Sequence, residues 1–338
     1  MKAYLLKNTD GKNNLIIDEI KIPDINDEEI LIKVEACGIC HTDLDIIEGR
    51  VKPAKLPIIL GHQIVGIVEE CGKLVKNFII GDRVGVGWIN KACGVCDFCK
   101  NGFENLCDNF IATGKDVNGG YAEYTKVDAK YAFHIPGSFE SLIAAPLMCA
   151  GGVGYRSLKL TGIRNGQKLA LTGFGASGHL VLQVARYLYP DTAIFVFARN
   201  LEQRELAMEL GATAAFDYND TFGDKVNAII DTTPAWSPIV HGLGILEKGG
   251  RLVINAIRKE DVDKENLFKL SYERHLWQEK EIKSIANVTK KDIEEFLDVA
   301  AKIHIRPNIE IYAFEKLNKA LDELKSGKIK GAKVLKVV

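Results

Sequence analysis

The spacing of apolar and polar residues changes character near Leu142. Before that point, short segments rich in β-branched residues alternate with turns, a pattern that predicts β-strands. Four such segments are EILIKVEACGI, QIVGIVEECG, DRVGVGWI and GYAEYTKV. The first part of the chain is therefore predicted to fold as a β-rich, barrel-like unit.

Beyond Leu142 the pattern alternates between buried strands and amphipathic helices. The strand-like KLALTGF at 168–174 is followed by a predicted helix. The apolar face of that helix consists of Leu180, Val181, Val184 and Leu188. Further strands are predicted at AIFVFAR, NAIID and RLVINAI, with helical segments between them. Strands that alternate with helices are typical of a parallel, doubly wound α/β sheet.

The last part of the chain returns to a mixed pattern. Two amphipathic helices, KDIEEFLDVAAKI and FEKLNKALDELKSG, follow the strand-like KEIKSIA. The final KVLKVV reads as a strand that rejoins the first domain. We therefore predict a discontinuous β-rich domain, 1–150 and 288–338, interrupted by a dinucleotide-binding α/β domain at 151–287.

Composition narrows the class of protein. The 338 residues are 47% hydrophobic and carry 44 Lys and Arg against 45 Asp and Glu. This balance gives no electrostatic reason to expect a nucleic-acid or anionic-membrane partner. The longest apolar stretch, 142–155, is too short to cross a bilayer, and the first residues lack the apolar core of a signal peptide. We therefore expect a soluble, cytoplasmic protein.

Four of the eight cysteines lie in one segment, CGVCDFCKNGFENLC, with the spacing C-x2-C-x2-C-x7-C. Thiolates this close repel one another unless a cation neutralises them, and Zn²⁺ suits four sulfur ligands in a tetrahedron. An iron–sulfur cluster also uses four cysteines and is the alternative, but the hydrophilic segment favours zinc. We predict a structural zinc site in a lobe at about 90–110, with ligands Cys93, Cys96, Cys99 and Cys107.

The segment GFGASG matches the G-x-G-x-x-G pattern and lies between a buried strand and an amphipathic helix. In this context the glycines permit a tight turn, and the helix N-terminus presents N–H groups to a pyrophosphate. A purely structural turn is the alternative. The predicted dinucleotide contacts are Gly173, Gly175, Ala176, Ser177 and Gly178.

The end of the next strand bears on cofactor choice. NAD-binding sites place an acid there to bind the ribose hydroxyls, but this chain has Ala198, Arg199 and Asn200. Arg199, aided by Arg204, would pair with a 2′-phosphate. We therefore predict a preference for NADP(H) over NAD(H), the alternative being that Arg199 is only a solvated loop residue.

Several segments, taken in order, resemble the zinc-dependent alcohol dehydrogenase family of the medium-chain dehydrogenase/reductase superfamily. They are CGICHTDL, GHQIVG, GDRVGVGW, the four-cysteine segment, PLMCAGG and GFGASG. The resemblance covers essentially the whole chain. It implies a GroES-like β-barrel catalytic domain with a Rossmann coenzyme domain, and hydride transfer between an alcohol, or in reverse an aldehyde or ketone, and a nicotinamide cofactor.

The same resemblance implies roles for residues that spacing alone does not connect. Cys40, His62 and Cys149 occupy the positions of the three catalytic zinc ligands, which makes two zinc ions per chain. Three protein ligands and one open position are typical of a catalytic zinc. Cys37, three residues before Cys40, is then expected to be a buried thiol.

Neighbouring positions take further roles from the resemblance. Thr42 corresponds to the hydroxyl that hydrogen-bonds the substrate oxygen, and Asp43 to the carboxylate that orients the zinc-bound histidine. Trp88 falls where the family lines the substrate pocket with an aromatic residue, an ordinary core tryptophan being the alternative. The family forms dimers and tetramers, so a homodimer or homotetramer is expected.

The chain departs from the family pattern at two positions. Gln63 stands where most members have glutamate after the zinc histidine, so that negative charge is missing near the metal. Asp45 replaces the histidine that often ends the proton relay. Either Asp45 accepts the proton or the relay ends in water.

Three other readings of the whole chain stand beside this one. A polyol or sugar dehydrogenase of the same superfamily would share all the motifs above. A non-enzymatic binding protein on the same scaffold would have no use for an open metal position, and a zinc-ribbon nucleic-acid module would need a basic stripe near the four-cysteine segment.

Overall fold

The computed structural model describes residues 1–11, 15–218, 220–327 and 331–338. The strands are β1 (Lys2–Leu5), β2 (Ile16–Glu19), β3 (Glu29–Ile39), β4 (Gln63–Cys71), β5 (Arg83–Val86), β6 (Ile89–Lys91), β7 (Ile111–Ala112), β8 (Tyr124–Asp128), β9 (Ala132–His134), β10 (Lys168–Thr172), β11 (Ala193–Phe197), β12 (Ala214–Phe216), β13 (Val226–Asp231), β14 (Leu246–Ile254), β15 (Glu281–Ser284), β16 (Ile309–Ala313) and β17 (Ala332–Lys336). The α-helices are α1 (His41–Ile47), α2 (Asp97–Lys100), α3 (Ser141–Ala144), α4 (Ala150–Thr161), α5 (Gly178–Leu188), α6 (Leu201–Glu209), α7 (Ser237–Ile245), α8 (Lys290–Lys302) and α9 (Leu317–Lys325). Across the described ranges, no helix has both the length and the apolar character needed to cross a membrane.

The chain divides into two compact units. The first unit contains Met1–Gly152 and Val288–Val338, and the second contains Val153–Asn287. The first boundary falls inside α4, two residues after the end predicted from the sequence. The β-rich and parallel-sheet characters predicted for the two parts of the chain are both confirmed.

The first unit is built on a seven-stranded sheet with the order β16-β17-β3-β4-β5-β9, in which β8 also pairs with β3. Because β3 is 11 residues long, its first half pairs with β8 and its last residues pair with β17. Its alternate apolar residues Ile30, Ile32 and Val34 are fully buried. The C-terminal strand β17 runs antiparallel to β3, and so the end of the chain joins the first unit.

The second unit contains a six-stranded sheet with the order β12-β11-β10-β13-β14-β15, and all its pairings are parallel. The strand order reverses between β10 and β13. In open α/β sheets, a ligand crevice forms outside the carboxyl ends of the strands at such a switch point. The sheet therefore places the ends of β10 and β13, and the glycine-rich turn after β10, at the edge where the sequence predicts a dinucleotide site.

Helix α5 buries only part of its predicted apolar face. Leu180, Val181 and Val184 are buried, but Leu188 is 36% exposed. Leu188 is the last residue of the helix, where the chain turns away at Tyr189. All four residues lie on α5, as the spacing predicts, and Leu188 is more exposed because it ends the helix, a boundary that periodicity does not show.

Candidate active site and metal centres

Cys40, His62 and Cys149 lie together in the first unit. Each directly precedes a regular element, respectively α1, β4 and α4. Their ligand atoms all lie within 4.8 Å of one another, with His62 and Cys149 buried and Cys40 partly buried. The fold therefore assembles three metal-ligating side chains that are far apart in the sequence.

The residues present fit a zinc ion. Both ring nitrogens of His62 are buried, and neither has a hydrogen-bond partner in the described part of the chain. Burial lowers the pKa of His62, yet Asp43 and Cys40 raise it to about 10, so the surroundings stabilise a positive charge. Two sulfurs and an imidazole are preferred zinc ligands, and three protein ligands leave one coordination position for another molecule.

Asp43 is held rigidly behind His62. As the third residue of α1, it closes a capping interaction, with Oδ2 accepting the Cys40 N–H at 2.9 Å. The same oxygen accepts the Tyr121 hydroxyl at 2.8 Å, and Oδ1 accepts the Gly61 N–H at 3.3 Å. Asp43 Oδ1 lies 3.7 Å from His62 Nδ1. A carboxylate in this position sets the orientation of a metal-binding imidazole.

Other predicted residues surround the same cluster. The Cys40 thiol donates to Thr42 Oγ1 at 3.6 Å. The Trp88 ring meets the His62 ring edge-on, with centroids 5.0 Å apart, and its side chain is 7% exposed. Gln63 is buried, and a Cβ on Gly38 would lie only 2.8 Å from its Cδ. Gln63 thus packs across the β3–β4 pair, where Gly38 leaves room for its side chain.

Asp45 lies in an ion pair. Its Oδ1 accepts Arg50 Nε at 2.8 Å and lies 2.7 Å from Arg50 Nη2. Arg50 thus holds the Asp45 carboxylate in one orientation, and the role of Asp45 in the proton path stays a prediction.

The four cysteines of the lobe at 90–110 also converge. Their sulfur atoms lie within 4.8 Å of one another, at Cys93, Cys96, Cys99 and Cys107. The backbone N–H groups of Val95 and Cys96 donate to Cys93 Sγ at 3.5 and 3.4 Å, which lowers the pKa of Cys93 to about 6. Gly94 makes this tight turn with a φ of +74°.

The lobe has little apolar packing of its own. Val95, Phe98, Phe103 and Leu106 are between 42% and 69% exposed, and α2 contains no buried residue. Four sulfurs that close around one cation would supply the cohesion that the apolar side chains do not. The donor set therefore fits a structural zinc ion with no open position.

The glycine-rich turn in the second unit has the geometry that dinucleotide binding requires. Gly173 has a φ of +83°, and a Cβ there would lie 2.5 Å from Thr232 Oγ1. A Cβ on Gly178 would lie 2.8 Å from the Gly173 carbonyl oxygen. A Cβ on Gly175 would meet nothing within 4 Å, so the turn is open on that side. Ala176 and Ser177 follow on the same partly exposed turn.

The residues after β11 differ in what they can contact. Arg199 is exposed. Asn200 caps α6 by accepting the Glu202 N–H at 2.8 Å. Arg204 Nη1 donates to the carbonyls of Ala198 and Arg199 at 2.7 and 2.9 Å, and to an Asp217 oxygen at 2.8 Å. Arg204 Nη1 thus holds the turn together and Asn200 has a capping role, while the phosphate contact predicted for Arg204 stays a prediction.

Tyr218, which was not identified from the sequence, lies beside this turn. Its hydroxyl is buried and has no hydrogen-bond partner among the described residues. Burial raises the pKa of Tyr218, and Asp231 raises it further, while the charge of Arg199 opposes the rise. The phenol is therefore affected by the charges of both Asp231 and Arg199. Tyr218 follows β12, a strand of only three residues, which is too short to show a periodic pattern. For that reason no sequence signal identifies Tyr218.

Comparison with known proteins shows the family. Residues 26–137 match the family model described as the alcohol dehydrogenase GroES-like domain, and residues 176–302 match that of zinc-binding dehydrogenases. The chain is 39% identical to "Probable alcohol dehydrogenase AdhA" of Mycobacterium tuberculosis, over 93% of this chain and 90% of that protein. It is 37% identical to an alcohol dehydrogenase of Geobacillus stearothermophilus, over 100% of this chain and 99% of that protein.

Solved structures agree with this assignment. A cinnamyl alcohol dehydrogenase from Sorghum bicolor superposes with a TM-score of 0.89 at 26% identity, covering 99% of this chain and 97% of that chain. CAD from Helicobacter pylori, complexed with NADP(H), superposes with a TM-score of 0.87 at 25% identity over the same shares. The first unit is thus a GroES-like domain and the second a Rossmann domain. The chain belongs to the zinc-dependent alcohol dehydrogenase family of the medium-chain dehydrogenase/reductase superfamily.

Proposed function

We propose that this oxidoreductase depends on zinc and transfers hydride between an alcohol and NADP(H), reducing an aldehyde or ketone in the reverse direction. The observation that carries the proposal is the close group of Cys40, His62 and Cys149, in which the imidazole nitrogens have no hydrogen-bond partner among the described residues. Three protein ligands are one fewer than the four that zinc usually takes. Zn²⁺ bound there acts as a Lewis acid, polarising the substrate oxygen and lowering the pKa of an alcohol hydroxyl.

The chain's own residues orient the ligands and handle the proton. Asp43, fixed by Tyr121 and the Cys40 N–H, holds the His62 ring in one orientation. Thr42 supplies a hydroxyl beside the ligand set that hydrogen-bonds the substrate oxygen and takes its proton onward. Trp88 packs against His62 and excludes water from that side of the site.

We propose two zinc ions per chain with separate roles. The second, held by the four-cysteine lobe, has its coordination shell filled by sulfur, so it stabilises the lobe and takes no part in the reaction. None of the eight cysteines, all of which lie in the described ranges, forms a disulfide. Thiolate metal sites of this kind suit a reducing compartment, which supports a cytoplasmic location.

The preference for NADP(H) rests on charge at the end of β11. The position where NAD-binding sites carry an acid is followed here by the exposed Arg199, and the unpartnered Tyr218 hydroxyl lies nearby. Together they offer a cation and a hydrogen-bond donor to a 2′-phosphate. The similar Helicobacter pylori structure is complexed with NADP(H), which supports the same choice.

Arg199→Ala tests this preference. A hydrogen bond to a charged group contributes about 1.5–3 kcal/mol, so kcat/KM for NADP⁺ should fall roughly 10- to 150-fold. The value for NAD⁺ should change by less than about twofold, because it lacks the 2′-phosphate. Steady-state kinetics with both cofactors measure this, with Arg164→Ala, an exposed arginine before β10, as the control. A wild-type preference for NAD⁺, or an unchanged ratio in Arg199→Ala, would contradict the proposal.

We further propose that the chain forms a homodimer or homotetramer. β15 is the terminal strand of the six-stranded sheet, and all four of its residues are exposed. Phe268 and Trp277 are 93% and 55% exposed in the segment before it. Sheet edges and clustered exposed apolar residues are typical association surfaces. A light-scattering mass of two or four chains is expected, and a mass of one chain would contradict the proposal.

A further inference from the structure

A buried ion pair lies at the switch point of the second unit's sheet. Asp231 is the last residue of β13, and Lys259 lies in the segment after β14. Their side chains are 0% and 7% exposed, and Lys259 Nζ donates to Asp231 Oδ2. The ammonium also donates to the carbonyls of Thr233 and Ala235, at 2.8 and 2.9 Å. These contacts use all three ammonium protons within the protein.

Asp231 joins this ammonium to the strand that leads into the glycine-rich turn. Its Oδ1 accepts the Thr172 hydroxyl at 2.6 Å and the Thr233 hydroxyl at 2.8 Å. Thr172 is the last residue of β10, directly before Gly173. The carboxylate therefore ties together the carboxyl ends of β10 and β13, between which the strand order reverses.

The segment 255–260 is anchored at both ends by the same network. The Asn255 N–H donates to the Asp231 carbonyl at 2.7 Å, and Asn255 Nδ2 donates to Ser177 Oγ at 3.1 Å. At the other end, Lys259 binds Asp231, and the Glu260 N–H donates to the Pro234 carbonyl at 2.8 Å. Segment 255–260 thus connects the glycine-rich turn, through Ser177, to the end of β13.

Stability alone is a weak reason for burying such a pair. Desolvation offsets much of the attraction between buried charges, and a neutral pair of similar size is often at least as stable. A pair beside a phosphate-binding turn has a further consequence, because an unneutralised Asp231 would repel the pyrophosphate. The pair both removes that repulsion and fixes the segments on either side.

We propose that Asp231 and Lys259 are positioning residues for the dinucleotide: they hold segment 255–260 and the turn at 173–178 in the binding geometry before the dinucleotide arrives. This proposal rests on the proposed function in one respect: the crevice at the switch point between β10 and β13 binds a nicotinamide dinucleotide. It applies to NAD(H) as well as NADP(H), because the network joins the turn at 173–178, and both dinucleotides carry the pyrophosphate that such a turn binds.

Three variants separate positioning from stability. If Lys259→Met reduces the binding-competent fraction to about a tenth, the dissociation constant and KM for NADPH rise about tenfold. The kcat at saturating NADPH should stay within about threefold, since bound cofactor restores the geometry. Lys259→Arg should recover most of the affinity. The double variant Asp231→Asn with Lys259→Met should unfold near the wild-type temperature, because no buried charge is left unpaired, yet keep the weak NADPH binding.

NADPH fluorescence titration, steady-state kinetics and thermal unfolding provide the readouts. Lys264→Met is the matched control, since the Lys264 side chain is 60% exposed and pairs with the exposed Asp261 three residues before it. A Lys259→Met variant with wild-type NADPH affinity would overturn the positioning role, and so would a double variant that regains affinity together with stability. A wild-type protein that binds neither NADPH nor NADH would instead contradict the proposed function, and the positioning role with it.

Discussion

Cys149→Ser is expected to abolish alcohol oxidation while the chain remains folded. The Cys149 sulfur is one of three atoms that converge on the open metal position, and a serine hydroxyl is a poor zinc ligand. Lewis-acid stabilisation by a metal contributes several kcal/mol to the transition state, so kcat/KM should fall about 1,000-fold or more. Replacing the sulfur with an oxygen leaves no large cavity, so the thermal unfolding temperature should change little.

The matched control is Cys71→Ser. Cys71 ends β4, donates its thiol to the Phe78 carbonyl and is not part of either sulfur cluster. The kcat/KM of the Cys71→Ser variant should stay within about twofold of the wild-type value, as is usual for substitutions away from the reaction centre. Circular dichroism and steady-state alcohol oxidation on both variants measure the difference. Full turnover by Cys149→Ser would remove Cys149 from the catalytic metal site.

Cys96→Ser should have the opposite profile, with a large loss of stability and a smaller loss of turnover. The lobe at 90–110 exposes most of its apolar side chains, and we propose that four sulfurs around one cation supply the missing cohesion. Loss of a structural metal ranks among the largest single-residue effects, and we expect the free energy of unfolding of the lobe to fall by about 4 kcal/mol or more. The catalytic ligands lie outside the lobe and keep their contacts.

Limited proteolysis with mass spectrometry measures this effect directly. New cleavage should appear between residues 90 and 110 in Cys96→Ser before any other part of the chain is cut. The control is Asp97→Asn, the neighbouring exposed residue at the start of α2. A Cys96→Ser variant that resists proteolysis as well as the wild type would show that the lobe does not need a fourth sulfur.

Local features were predictable from the sequence. The four lobe cysteines lie within one short segment, so their spacing alone indicates a shared cation, and the glycine-rich turn is defined by the strand and helix on either side. The β-rich and parallel-sheet characters followed from periodicity, because patterns of period 2 and 3.6 are local. The catalytic ligand set was reached only through the family resemblance, since nothing in the spacing of Cys40, His62 and Cys149 connects them.

Long-range partners were not predictable. Tyr121 lies 78 residues from Asp43 in the chain, yet donates to its carboxylate. Lys259 and Asp231 meet only because β13 and β14 are neighbours in the sheet. Arg204 reaches Asp217, 13 residues further on, across the end of β12, which pairs with β11. In each pair, the packing of distant segments determines which two residues meet. Such packing leaves no periodic signal in the sequence.

The zinc content of the purified protein, measured together with its alcohol-oxidation activity, tests the central claim most directly. We predict two zinc ions per wild-type chain and one in Cys149→Ser, with activity lost in proportion to the zinc lost from that site. Cys96→Ser should also hold one zinc ion but keep measurable turnover. A wild-type chain that is fully active with one zinc ion or none, or a Cys149→Ser chain that is inactive but still holds two, would contradict the account.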